Sequence, residues 1–131
     1  ILGRFFSGKN ISILQENLKK YLNIEYAVPL YRGRLGIYLA VKSILSKNKK
    51  EIILSPFTIF DVVNMVACAG GIPIFADINP NTFCLDPESI KTKICDRTKA
   101  IIIVHLFGKD EREYYALDDV WSEGQRLLRI Q

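Results

Sequence analysis

The sequence predicts an α/β fold, a mostly parallel sheet with crossover helices. Three observations predict it. Apolar runs of strand length alternate with segments of helical period along most of the chain. The strand runs are apolar at consecutive positions, as in Ile101-Ile102-Ile103-Val104, which marks strands buried on both faces. Turn residues, namely Pro56, Gly70-Gly71 and Asn79-Pro80, fall at the joints between runs.

In chain order, residues 12–23 read as a helix with Ser12 at its cap and a stripe of Leu14, Leu18, Tyr21 and Leu22. Residues 26–30 (YAVPL) read as a short strand. Residues 34–45 form a helix with a wide apolar face carrying Leu35, Leu39, Val41 and Leu45. Residues 49–55 are a strand closed by Pro56, and 60–70 a second apolar helix stopped by Gly70-Gly71. Residues 72–78 are a strand with Asp77 near its end. A turn-rich stretch leads to a short helix from 86, with Pro87 in its first turn beside acidic residues. Residues 98–108 are a strongly apolar strand ending in His105 and Gly108. Residues 1–108 are therefore expected to form a partial α/β domain. Residues 109–131 show no strand run and are expected to be a divergent, charged helical tail.

Ligands of such sheets bind outside the C-terminal edge of the strands. That edge carries residues 30–33, 55–58, 77–79 and 105–108. Arg32, Gly33, Arg34 and Gly36 lie where the first strand turns into a helix. Glycines there permit a tight bend and a close approach to a ligand, and the unpaired amides of a helix start suit a phosphate. Arginine adds charge-assisted hydrogen bonds. The spacing matches neither GxxxxGK[ST] nor GxGxxG, so a tight turn with surface arginines stands beside the phosphate reading.

The composition excludes several classes. The 131 residues are 49% hydrophobic and 24% charged, which argues against disorder. The net charge of +4 owes part of its excess to the lysines of residues 46–51, read as a solvated face. Without base-stacking aromatics beside it, that run predicts no nucleic-acid surface. Cys68, Cys84 and Cys95, widely spaced and accompanied by the single histidine His105, make no metal set and read as buried free thiols of a reducing compartment. No apolar run is long enough to span a bilayer, so a cytoplasmic protein without a membrane partner is expected.

Residues 5–108 resemble the N-terminal part of the DegT/DnrJ/EryC1/StrS family of pyridoxal-phosphate-dependent sugar aminotransferases. The resemblance rests on the SG…E…YAV segment of residues 7–28. It rests further on the Pro56–Thr58 stretch, Asn64, the IPIFADI run of 72–78, Asp86-Pro87 and the TKAIIIVHLFG run of 98–108. It implies the N-terminal part of the large domain of a fold-type I transferase. It also implies pyridoxal phosphate as cofactor, a nucleotide-linked keto sugar and an amino acid donor as substrates, and a homodimer.

By the same resemblance, Arg32-Gly33-Arg34-Leu35-Gly36-Ile37 stands where the family's phosphate loop reads S-G-T-x-A/G-L. Gly33, Arg34 and Leu35 become cofactor-binding candidates, with Arg34 replacing the usual threonine. Ile59 stands where an aromatic commonly stacks on the pyridine ring. Phe57 and Phe60 flank it, as substitutes for that stack or as plain core residues. Asn64 matches a family position and is expected to play a hydrogen-bonded structural role; His105 matches another and is expected to be a site-edge or backbone-fixing residue, with a proton shuttle as the other reading; Asp77 caps a turn or lines the cleft. The stretch LDDVWSEG (117–124) resembles the family's aspartate element and makes Asp119 the candidate partner of the pyridine nitrogen. It follows His105 closely for that role, and a solvated acidic pair is the other reading.

The Schiff-base lysine of the family lies further along than Gln131, so no catalytic residue is expected among these residues. Because the sequence starts at Ile1 and ends at Gln131 without a terminal element, a fragment or truncated member, inactive alone, is expected. The alternative is a non-catalytic relative with a regulatory or structural role.

Overall fold

The structure is a computed structural model and describes residues 8–104, together with the backbone of residues 126–130. The chain divides into two compact units, residues 1–33 and 34–131.

In the first unit, α1 (Lys9–Leu22) begins after Gly8 rather than at Ser12. The Ser12 hydroxyl bonds back to the Gly8 carbonyl at 3.1 Å, four residues earlier, so it sits inside the first turn instead of capping it. The helix ends on Asn23 in the left-handed conformation, φ 51°, with Lys19 and Lys20 in the last turn. The expected strand at 26–30 does not form. Those residues have no regular structure, and the Gln15 side-chain amide ties them to α1 by donating to the Ala27 carbonyl at 3.0 Å. A strand needs a ladder partner, and Pro29 has no N–H to give one.

The second unit holds a four-stranded sheet in the order β2-β1-β3-β4, from β1 (Glu51–Leu54), β2 (Ile72–Phe75), β3 (Thr98–Val104) and β4 (Arg126–Ile130). All three pairings are parallel. The last strand corrects the sequence reading of 109–131 as a helical tail: residues 126–130 pair with Ala100–Val104 in register. The neighbouring β3 offers a continuous apolar edge, and that pairing outweighs the weak local helical pattern. Residues 105–125, with His105, Gly108 and Asp119, lie outside the described residues.

The helices are α2 (Gly33–Ile44), α3 (Phe60–Cys68) and α4 (Pro87–Lys93). Alternate residues of β1 and β3 divide the core. Ile52, Leu54, Ala100 and Ile102 pack with Val41 of α2 and with Val62 and Val66 of α3. Ile53, Ile101 and Ile103 pack with Leu85 and with Ile90 of α4. All four residues of β1 are buried, which explains why its apolar run is continuous.

Two polar contacts show the direction of α2 against α3. Near their starts, Arg34 Nη1 lies 3.2 Å from Asp61 Oδ2. Eight residues on in each, Lys42 Nζ donates to the Ala69 carbonyl at 3.2 Å. The two helices therefore run side by side in the same direction, matched over roughly 12 Å of axis.

The joints follow the sequence. Gly70 takes φ +90°, and a Cβ on Gly71 would sit 3.1 Å from Val66 and 3.2 Å from Ile52. Asp86 caps α4 by accepting from the amides of Glu88 and Ser89, with Pro87 next in line.

At the opposite end of the sheet, Glu51 is 7% exposed beside a register shift between β1 and β3. Its carboxylate accepts from Arg97 Nε at 2.6 Å and from the Cys95 thiol at 3.1 Å. Burial works to raise its pKa. The Arg97 hydrogen bond, the Cys95 hydrogen bond and the Arg97 charge together outweigh burial and hold it below the ordinary glutamate value.

Gly71→Ala is expected to lower stability by about 1–3 kcal/mol in urea unfolding, because helix and strand must both give way. An unchanged midpoint would contradict that contact. A lowered folded-state pKa means that the Glu51 contribution is present above about pH 4.5 and fades as pH falls through the folded value. Glu51→Gln is therefore expected to destabilise the protein at pH 7, with the gap to wild type narrowing at pH 3. A constant gap would show that ionisation plays no part.

Candidate functional site

The chain leaves β1 through Ser55-Pro56-Phe57-Thr58-Ile59 and enters α3 at Phe60. The buried Ser55 hydroxyl accepts from the Phe57 amide at 2.9 Å and fixes the bend. Ile59 precedes the helix in an extended conformation and provides no side-chain cap, so the α3 start keeps unpaired amides. Its first turn carries Asp61, whereas the first turn of α2 carries no acid.

Because α2 and α3 run in parallel, their positive ends open at one rim of the sheet, beside the exit of β1. Arg34 lies in this rim, half exposed. Apart from its contact with Asp61, it has no partner among the described residues. The Thr58 hydroxyl oxygen in the same loop is buried without a hydrogen-bond partner among the described residues. Buried hydroxyls are rarely left so. Two amide-bearing helix starts, a guanidinium with spare donors and an orphaned hydroxyl are the donor set a phosphate-bearing group requires, so the residues present fit one.

The structure thus brings Arg34, Leu35, Thr58 and Ile59 to one rim. Leu35 is half-buried and Ile59 is 63% exposed. Gly33, the first residue of α2, does not take a positive φ, and a Cβ there would meet nothing within 4 Å. The bend thus does not depend on left-handed geometry at this glycine; the space over it is simply open. Phe57 and Phe60 are not core residues. They are 48% and 75% exposed, and Phe57 leans on Phe83 with ring centroids 6.1 Å apart. Phe83 holds φ +58° in the turn after β2, an unusual conformation for a bulky residue. Asn64 is exposed on α3. Asp77 is exposed, and its backbone is held by the Ser89 hydroxyl and the Asp86 amide. Cys68 is exposed too, against the expectation that all three thiols are buried. Among the described residues no cluster could hold a metal ion and no helix is long and apolar enough to cross a membrane.

Sequence reading missed Asp61. The available signal was a pair of opposite charges, each in the first turn of a helix reaching the same sheet edge.

An open parallel sheet with hydrogen-bond donors at the exit of a buried strand defines an α/β protein with a candidate anion site at its strand ends. More particularly, the chain belongs to the DegT/DnrJ/EryC1/StrS aminotransferase family, whose model matches residues 2–123. It is 35% identical over 107 residues to a 3-oxo-glucose-6-phosphate:glutamate aminotransferase of Bacillus subtilis, covering 82% of this chain and 24% of that protein. It is 27% identical over 123 residues to GDP-perosamine synthase of Vibrio cholerae, covering 86% and 34%. The structure of NtdA from Bacillus subtilis with bound cofactor PMP superposes with a TM-score of 0.78 at 27% identity, over 90% of this chain and 27% of that one. The chain thus spans about a quarter to a third of the relatives it matches. Fold-type I architecture and dependence on pyridoxal phosphate are properties of this family.

The orphaned hydroxyl carries a prediction. Thr58→Val removes an unsatisfied buried oxygen at nearly constant shape, so the ligand-free protein is expected to gain about 1 kcal/mol in chemical denaturation. A loss of that size would mean that Thr58 has a partner after all.

Proposed function

We propose that these residues build the phosphate end of the cofactor site in a pyridoxal-phosphate-dependent aminotransferase. The intact enzyme would act on a nucleotide-linked keto sugar with an amino acid donor, as a cytoplasmic homodimer. The observation that carries the reading is the meeting of the α2 and α3 starts at one rim, with Arg34 between them and the Thr58 hydroxyl unsatisfied nearby.

When bound, the cofactor would supply the electron sink that lets an amino group pass between donor and sugar. The residues here bind and orient it. The first-turn amides at Gly33 and Leu35 would donate to the phosphate oxygens at the positive end of α2, and Arg34 would add charge-assisted hydrogen bonds. Ile59, exposed at the entrance to α3, would cover one face of the ring by apolar contact. Asp119 is assigned to the pyridine nitrogen by resemblance alone. The reactive lysine would come from another part of the intact protein.

The test is a titration of the intact protein with pyridoxal phosphate. A band near the visible edge, fixed as a covalent adduct by borohydride, is expected. Arg34→Gln should weaken binding by about 10- to 100-fold, the loss of one charged hydrogen bond. Absence of binding by the wild-type protein would defeat the proposal.

A further inference from the structure

Asp61 has no role in the family resemblance, yet among the described residues it is the one that forms an ion pair with Arg34. We propose that Asp61 is a positioning residue for the cofactor phosphate, an inference that rests on the function proposed above. Its carboxylate engages one guanidinium nitrogen, Nη1, and leaves Nε and Nη2 for phosphate oxygens.

Three features support this. Arginine is a long side chain with several rotatable bonds, and unanchored at a helix start it would be repelled by the positive end of α2. Asp61 removes that freedom from a neighbouring rigid element, since α2 and α3 are also tied by Lys42 and Ala69 and share the packed face of Val41, Val62 and Val66. Asp61 is itself favourably placed, as an acid in the first turn of α3. The opposing effect is repulsion between Asp61 and the phosphate. Arg34 and Asp61 are 48% and 37% exposed, so water and salt screen that repulsion, while the direction imposed on the guanidinium remains. The same exposure means that the pair contributes little to folding, so variants at Asp61 should remain folded.

The experiment compares pyridoxal phosphate with pyridoxal, which lacks the phosphate, by calorimetry on the intact protein. The readout is the ratio of the two affinities, which a general loss of structure would not change selectively. Asp61→Asn is expected to reduce the preference for the phosphorylated form by about three- to tenfold. Asp61→Glu should restore part of it. In an Arg34→Gln background Asp61→Asn should change nothing further, because the positioned group is gone. A preference in Asp61→Asn equal to or above wild type overturns the inference while leaving the cofactor site in place. A wild-type protein that does not prefer the phosphorylated form overturns both.

Discussion

Everything at the rim depends on two helices running the same way. Parallel neighbours place like ends of their dipoles together, an arrangement that repels unless an anion or an acid lies between. The sheet imposes it. With β1 and β3 buried on both faces, the chain must cross over to start each parallel strand, and α2 and α3 share one face of the core. The shared packed face of Val41, Val62 and Val66 holds the alignment, and the Arg34–Asp61 and Lys42–Ala69 contacts mark its two ends. Asp61 is the only negative charge in either first turn, so the pair of helix starts keeps an excess of positive potential.

An arginine stands at this rim despite that excess, because the Asp61 carboxylate offsets its charge. A threonine offers one donor close to the helix. An arginine offers several donors further out, but its reach has to be directed, and Asp61 on the next helix supplies the direction. The opposite edge of the sheet uses the same device for another end: Arg97 and the Cys95 thiol surround the buried Glu51 where β1 and β3 slip register. One edge satisfies its acid internally, whereas the other leaves donors unspent, as the Thr58 hydroxyl illustrates.

Much of the fold was legible because burial on both faces writes itself as unbroken Ile and Val runs; β1, β2, β3 and their helices appear within a few residues of where the pattern puts them. Gly70-Gly71 and Asp86-Pro87 were legible through local backbone chemistry. What could not be read depends on distant partners. Residues 26–30 have the composition of a strand but find no ladder among the described residues. Arg126–Ile130 holds only three apolar residues, interrupted by Arg129, and becomes a strand by pairing with β3. Phe57 and Phe60 look like core in sequence, yet they stand exposed at the rim. The site was legible in part, through the glycine-arginine stretch, but Asp61 lies 27 positions from Arg34 and no local spacing links them.

The most direct measurement is a crystal structure of the intact protein with pyridoxal phosphate bound. The account predicts the phosphate at the first turn of α2, within hydrogen-bond reach of Arg34, while Asp61 keeps hold of the same guanidinium. A phosphate seated away from that turn, with Arg34 still facing Asp61 alone, would contradict it.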